Sequence, residues 1–318
     1  MDNQNKQQEP HSGLIKHGQS EGSDNAASDA VISVRDVTVA FGHNVILDKL
    51  DLDIRRGEVL GFIGPSGSGK SVLMRTILGL NQKKSGLIEV FGQDVDKVNE
   101  RQKMAIDMRM GVLFQQGALF SSLTVLENIQ VPMREYLDLS PKLMNELARL
   151  KIDMVGLKPD AAEKYPSELS GGMIKRAALA RALALDPEMV FLDEPTSGLD
   201  PIGAADFDDL IANLRDTMGL TVYMVTHDLD SLFAICDRIA VLGQKKVLVD
   251  GTVEELLKFD DPWVQSYFNG KRARQIDPQA ANRRRTIPHK SQDAAQTGFE
   301  TTGVNLKTHN GQPTELDQ

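Results

Sequence analysis

The sequence predicts an α/β fold with a mainly parallel core sheet, a small antiparallel β subdomain in front of it and a helical subdomain within it. Two observations support this prediction. Apolar runs of four to six residues alternate with helical patterns along the middle of the chain, which is typical of a parallel sheet flanked by helices. The 318 residues are 41% apolar, enough for a well-buried core.

The two ends of the chain differ in composition from its middle. Residues 1–30 and 271–318 are polar and contain few large apolar groups, so we expect both to be disordered and the folded domain to span 31–270. The C-terminal tail carries two basic clusters, at 271–274 and 283–285. They are either solvated or contact anionic lipid or a neighbouring subunit.

Charge and cysteine content restrict the possible partners and compartment. The formal net charge of -9 disfavours binding of the whole surface to nucleic acid, so no nucleic-acid partner is expected. The one cysteine, Cys236, cannot form an internal disulfide, and its apolar neighbours predict a packed thiol in a reducing compartment. The first thirty residues lack the apolar core of a signal peptide, and no apolar stretch is long enough for a spanning helix. We therefore expect a cytosolic chain.

The strands follow in order along the chain. Residues 31–41 and 45–54 predict half-exposed antiparallel strands, because Leu50, Leu52 and Ile54 alternate with charged residues. Four continuous apolar runs predict buried parallel strands at 59–63, 111–114, 189–192 and 221–225. Two short strands are expected later, at 238–243 and 246–251.

Between the second and third buried strands lies a predicted helical subdomain, at about 116–185. Thr124 and Glu127 have the spacing of a capping box, in which each side chain bonds the other's backbone N–H. Further along, Leu143, Leu147 and Leu150 follow helical spacing. A second capping box is predicted after the last strand, at Thr252 and Glu255.

A phosphate-binding loop is predicted directly behind the first buried strand. The stretch GPSGSGKS matches G-x-x-x-x-G-K-[ST] and opens a helix, as this mechanism requires. Backbone N–H groups of the loop cradle phosphate, Lys70 reaches the outer phosphates, and Ser71 supplies a hydroxyl ligand for Mg²⁺. The loop residues expected to bind nucleotide are Gly64, Pro65, Ser66, Gly67, Ser68, Gly69, Lys70 and Ser71.

Two carboxylates end the strand predicted at 189–192. Asp193 can hold the Mg²⁺ shell through water, and Glu194 can polarise an attacking water molecule beside the terminal phosphate. Alone such a pair is usually structural; behind a phosphate-binding loop it predicts ATP hydrolysis with Glu194 and Lys70 as catalytic groups.

The segment LSGGM, residues 169–173, distinguishes among ATPases. Ser170 is a natural N-cap, and Gly171 and Gly172 leave N–H groups uncovered at a helix start. With this segment before the Asp-Glu pair, residues 31–260 resemble the ABC-type ATPases, with the family's motifs in the family's order.

The resemblance implies further roles. Phe41 stands where the family stacks an aromatic ring on adenine, and Gln115 matches the glutamine that senses Mg²⁺ and faces a membrane partner. Asp200 lies in a loop that couples two nucleotide sites, and His227 resembles the switch histidine that contacts the γ-phosphate. In this family Ser170 and its glycines close the ATP site of a second subunit, so the resemblance implies a homodimer that ATP holds closed.

The type of ABC protein is indicated by the stretch after Gln115. One cassette without a membrane segment resembles subunits that dock on a separate permease dimer. GALF, TVLENIQVPMRE and Met173 resemble the Mce-associated, Mla-type ATPases, which move phospholipids between the two membranes of Gram-negative envelopes. This implies peripheral attachment at the cytoplasmic face of the inner membrane, an Mce-domain lipid-binding protein and a small accessory subunit. A polar-solute importer and a soluble non-transport regulator remain the alternatives.

Overall fold

The computed structural model describes residues 29–269. The predicted N-terminal segment up to residue 28 and the basic tail at 271–318 lie outside these residues. Within 29–269, no helix is long and apolar enough to cross a membrane.

The strands in chain order are β1 (Ala30–Phe41), β2 (Asn44–Arg55), β3 (Val59–Ile63), β4 (Ser85–Val90), β5 (Gln93–Asp94), β6 (Met110–Leu113), β7 (Met189–Asp193), β8 (Thr221–Val225), β9 (Arg238–Gly243) and β10 (Lys246–Gly251). The helices are α1 (Lys70–Ile77), α2 (Glu100–Met108), α3 (Val125–Tyr136), α4 (Pro141–Met154), α5 (Gly171–Ala182), α6 (Pro201–Met218), α7 (Leu229–Ile235), α8 (Val253–Leu256) and α9 (Pro262–Asn269).

Two sheets organise the molecule. The first is antiparallel with strand order β2-β1-β4-β5, and the second has six strands in the order β10-β9-β3-β8-β7-β6. In the second sheet β9, β3, β8, β7 and β6 run parallel, and only β10 is antiparallel to its neighbour. The predicted parallel core with an antiparallel β subdomain is therefore confirmed.

The central strand β3 joins two hydrophobic cores. All five of its residues are buried, and successive side chains point to opposite faces of the sheet. Leu60 and Phe62 pack into the core shared with the antiparallel sheet and α1. Val59 and Ile63 pack into the larger core, which holds the helical insert and also the buried Cys236. Burial on both faces explains why this strand is continuously apolar.

The helical insert consists mainly of α3, α4 and α5. The predicted capping box at the start of α3 is present, with Thr124 N donating to Glu127 Oε2 (2.8 Å) and Glu127 N to Thr124 Oγ1 (3.2 Å). The helix expected from the leucine spacing is α4. However, α4 turns Met144, Ala148 and Ile152 inward. Leu143 and Leu150 lie on its outer surface and are 42% and 52% exposed.

Helix α5 approaches the edge strand β6 very closely at Gly111. A Cβ atom on Gly111 would lie 2.3 Å from the carbonyl oxygen of Ala182, the last residue of α5. Only glycine fits between this strand and this backbone. The contact fixes the C-terminal end of α5 against the core sheet.

Candidate active site

The predicted nucleotide-handling residues gather at one edge of the six-stranded sheet. Strands β3, β8, β7 and β6 are neighbours and parallel, so their carboxyl ends lie side by side. These ends lead into the loop 64–69, His227, the pair Asp193 and Glu194, and Gln115 respectively. Ligands of open α/β sheets bind at this edge.

The loop 64–69 connects β3 to α1, and its backbone suits an anion. Gly69 is the N-cap of α1 at φ 112°, which favours glycine, and no side chain caps this helix end. A Cβ on Gly69 would lie 2.8 Å from Ile46 Cγ2, so β2 packs directly on the loop. The uncapped N–H groups of the first turn can therefore bind phosphate oxygens.

Lys70 lies folded along the loop that it follows. Its Nζ donates to the carbonyl oxygens of Gly64 (2.8 Å) and Pro65 (3.1 Å). Burial lowers the pKa of Lys70, and the charges of Glu194 and Asp193 partly offset this effect. Ser68 Oγ is buried and has no hydrogen-bond partner among the residues that the structure describes. Pro65, Ser66 and Gly67 form the exposed tip of the loop.

Ser71 and Asp193 provide oxygen donors that suit Mg²⁺. Ser71 Oγ donates to Asp193 Oδ1 over 3.4 Å, across from α1 to the end of β7. Asp193 is 5% exposed, and its pKa is raised by burial and by the charge of Glu194. Mg²⁺ prefers such hard oxygen ligands and completes its shell with water and substrate phosphates. The donor set therefore fits this ion, which would also favour the ionised form of Asp193.

Glu194 and His227 form a direct contact. His227 Nδ1 lies 2.7 Å from Glu194 Oε2, although the imidazole is 72% exposed. Glu194 is a non-glycine residue with φ 51°, and its N–H donates to the carbonyl of Val225 at the end of β8 (2.8 Å). Residues held in this backbone region often mark functional sites. The side chain of Glu194 is 13% exposed and accessible at the sheet edge.

Gln115 is an exposed residue of the loop after β6, and its backbone is tied to α5. Its carbonyl oxygen accepts a hydrogen bond from Lys175 Nζ. Arg181, also on α5, donates to the carbonyls of Gly117 (2.8 Å) and Ala118 (2.7 Å). The backbone of this loop is thus held by two cations of one helix.

The remaining predicted residues lie at the surface, and none has a described contact with the groups at the sheet edge. Phe41 is 52% exposed at the end of β1. Ser170 caps α5 by accepting from Met173 N (3.4 Å), and Asp200 caps α6 by accepting from Ile202 N and Gly203 N (3.0 Å each). Within residues 29–269, a Cβ on Gly171 would meet nothing within 4 Å and one on Gly172 only Leu199 at 3.8 Å. Packing in this part of the chain therefore does not account for these two glycines.

Sequence reasoning missed two residues next to the site. Lys175 bonds the backbone of both Gln115 and Glu194. Thr196 Oγ1 donates to Asp228 Oδ2 over 3.4 Å, linking the segment after Glu194 to the segment after His227. The lysine at position 175 could have indicated a role at the site, because it follows LSGG closely and the rest of that helix face is apolar.

A phosphate-binding loop, an acidic strand end and a neighbouring histidine on a parallel sheet define an ATPase of the P-loop class. A sequence profile described as ABC transporter matches residues 47–197. Together with the relatives below, this match shows that the chain belongs to the ABC transporter family, as an ATP-hydrolysing cassette. The sequence-based predictions of the family and of ATPase activity are confirmed.

Two relatives and one solved structure illustrate the similarity. The intermembrane phospholipid transport system ATP-binding protein MlaF of Haemophilus influenzae is 39% identical over 241 residues, which cover 76% of this chain and 91% of MlaF. The probable ribonucleotide transport ATP-binding protein mkl of Mycobacterium leprae is 38% identical over 76% of this chain and 69% of its own length. The dimeric post-hydrolysis structure of the ATP-binding cassette MJ0796, bound to ADP and Pi, has a TM-score of 0.64 and 30% identity, covering 70% of this chain and 98% of that one.

Proposed function

We propose that this chain is the ATPase subunit of a transporter that moves phospholipids between the inner and outer membranes and so maintains the lipid asymmetry of the outer membrane. The observation that carries the proposal is the 39% identity, over 91% of its length, to a protein named for intermembrane phospholipid transport. On this proposal the chain forms a homodimer on the cytoplasmic face of the inner membrane. It drives a permease dimer that works with an Mce-domain protein and a small accessory subunit.

In the proposed reaction, each residue at the sheet edge has a distinct task. Lys70 and the N–H groups of the loop 64–69 hold the phosphates of ATP, and Phe41 stacks on its adenine. Ser71 and Asp193 hold Mg²⁺ together with Gln115, in part through water. When bound, Mg²⁺ neutralises charge that develops on the phosphates. Glu194 polarises the attacking water, and His227, in contact with Glu194, orients toward the terminal phosphate.

The second half of each site is proposed to come from the partner subunit. Ser170, Gly171, Gly172 and Asp200 are exposed or nearly so, and packing within the described residues does not explain the glycines. Ser170 caps α5 at Met173 N, so the N–H groups of Gly171 and Gly172 are not bonded by this cap and suit a phosphate that another chain presents. A related cassette has been solved as a dimer with ADP and Pi. Hydrolysis would remove this contact and let the two subunits separate.

The proposed role of Glu194 is tested by Glu194→Gln, which keeps the shape of the side chain but removes its basicity. We expect turnover to fall by about 10²- to 10⁴-fold, the usual contribution of a general base. ATP binding should persist, so ATP should accumulate with a closed dimer in gel filtration. Turnover at the wild-type rate would refute the assignment.

A second candidate substrate class follows from the relative in Mycobacterium leprae, which is named for ribonucleotide transport. Both relatives match this chain over the same share of its length, so the ATPase alone does not separate the two. Isolation of the native complex in mild detergent, followed by mass spectrometry of its proteins and bound lipids, does. A permease with an Mce-domain protein and phospholipid supports the first proposal; a permease with a solute-binding protein supports a polar solute.

A further inference from the structure

Lys175 occupies an unusual position on α5, five residues after Ser170. Its side chain is buried, with 5% of the residue exposed. Its Nζ donates to two backbone carbonyls, that of Gln115 and that of Glu194 (2.9 Å). One ammonium group therefore connects three segments: α5, the loop after β6, and the turn after β7.

The second of these bonds acts on a strained residue. Glu194 has φ 51°, a region that is unfavourable for a non-glycine residue and persists only where the surroundings hold it. Its N–H is fixed by Val225 O at 2.8 Å, and its carbonyl accepts from Lys175 at 2.9 Å. These two bonds hold the peptide groups on either side of the Glu194 Cα, which determines where its side chain points.

A buried lysine is a costly way to make two hydrogen bonds, because an ammonium loses its hydration. Desolvation accordingly lowers the pKa of Lys175, while the carboxylates of Glu194 and Asp193 favour its charged form. The other buried residues of α5 are alanines and a leucine. The place of Lys175 suits an electrostatic and positional role better than a purely structural one.

We propose that Lys175 is a positioning residue for ATP hydrolysis: it holds Glu194 in its left-handed backbone conformation and ties it to the loop that contains Gln115. The inference rests on the proposed role of Glu194 and adds to it a link between that residue, the loop and α5. A displacement of α5 relative to the core sheet would move the Lys175 ammonium and disturb the orientation of Glu194. The position of the helical insert would thereby influence hydrolysis.

The test is a double-mutant cycle on the full chain with Lys175→Met, Glu194→Gln and the combination, measured by steady-state ATP hydrolysis over a range of ATP concentrations. Lys175→Met should lower kcat by about 10- to 100-fold, since a misplacement of 1 Å can cost about 10² in rate. The KM for ATP should change by less than about threefold, because Lys175 does not touch the nucleotide in this scheme. In the Glu194→Gln background the same substitution should have almost no further effect, because residues that act as a unit are not additive.

Lys175→Gln serves as a second variant if Lys175→Met folds poorly, since a shorter amide keeps one donor group. We expect a smaller loss of kcat with the same lack of additivity. Lys151→Met is the matched control, because Lys151 is also a buried lysine, on α4, and pairs with Asp186. It should lower the melting temperature and leave kcat unchanged.

The outcomes distinguish the role of Lys175 from that of Glu194. Additive losses in the cycle, or an unchanged kcat in Lys175→Met, overturn the positioning role and leave Glu194 in place. Wild-type turnover by Glu194→Gln refutes the role of Glu194 and the inference with it. A drop in kcat that disappears in the Glu194→Gln background establishes the link.

Discussion

Asp208 is a buried carboxyl group whose pKa is strongly raised by the fold. It lies on α6 with 3% of its surface exposed, and its Oδ1 has no hydrogen-bond partner among residues 29–269. Burial raises its pKa to about 7, and the charges of Asp228, Asp209 and Asp230 add to the shift, while a bond with Ser231 opposes it. The folded protein therefore holds Asp208 protonated over a pH range in which the unfolded chain ionises it.

This shift predicts a pH-dependent stability. Between about pH 4 and pH 7 the folded state binds the proton more tightly than the unfolded state, so the free energy of unfolding falls as the pH rises. Asp208→Asn removes this dependence. The difference in unfolding free energy between Asp208→Asn and the wild type should therefore shift in favour of the variant by up to about 3 kcal/mol from pH 5 to pH 8. One pKa unit corresponds to about 1.36 kcal/mol.

Urea unfolding at the two pH values measures the difference, with the exposed Asp206→Asn on the same helix as the control. An equal effect of pH on wild type and Asp208→Asn would contradict the buried, protonated carboxyl.

At the residue scale the sequence predicts chemistry well where the residues are adjacent in the chain. Lys70, Ser71, Asp193 and Glu194 belong to short motifs with a known mechanism, and strand order brings them to one edge. The contact of Lys175 with Glu194 spans 19 positions and depends on how α5 packs. The left-handed φ of Glu194 likewise follows from tertiary bonds rather than from local preference, so neither was predictable.

Among the secondary-structure elements, α5 and β6 show how packing constrains the site. Ser170 caps α5, the helix itself carries Lys175 and Arg181, and its last residue meets β6 at Gly111. The sequence located most buried strands, because runs of buried apolar residues are a strong signal. It did not indicate which face of α4 turns inward, because Leu143 and Met144 are equally apolar and only contacts with α3 and α5 distinguish them. The short pair β4 and β5 was not predicted, since it depends on distant pairing with β1.

Gly111→Ala tests the closeness of the contact between α5 and β6. The added methyl would overlap the Ala182 carbonyl, which lies in rigid backbone, so we expect a loss of about 1–3 kcal/mol in unfolding free energy. Gly203→Ala is the matched control: it lies in α6 with its nearest contact at 3.5 Å. It should be neutral or stabilising by up to about 1 kcal/mol. Thermal unfolding of both variants measures this contrast, and equal melting temperatures would argue against the tight approach.

On the scale of the whole molecule, each subunit is proposed to contribute complementary halves to two sites. Lys70 and Glu194 lie at the sheet edge, whereas Ser170 and Gly171 are exposed and have no described contact with them. In a twofold dimer, each of the two ATP sites combines one half from one chain with the other half from its partner. This arrangement makes the number of complete sites depend on which chains associate.

Mixing two inactive variants tests this arrangement. Lys70→Ala and Ser170→Arg should each be inactive alone, because every site in either homodimer lacks one half. In a mixed dimer one site collects both defects and the other is intact. Single-turnover hydrolysis in an equal mixture should therefore recover to about a quarter of wild type, by random pairing in a twofold dimer. A mixture as inactive as its components would indicate that the two halves belong to one chain.

The burial of Cys236 has a practical consequence. It is the one cysteine in the sequence and is 1% exposed, so thiol-reactive probes will react slowly with the native fold. A cysteine introduced at the 76% exposed Ile202, close to Asp200, would accept a spin label without removal of the natural thiol. Two such labels, one in each subunit, would report the spacing between subunits by electron spin resonance at each stage of the ATP cycle.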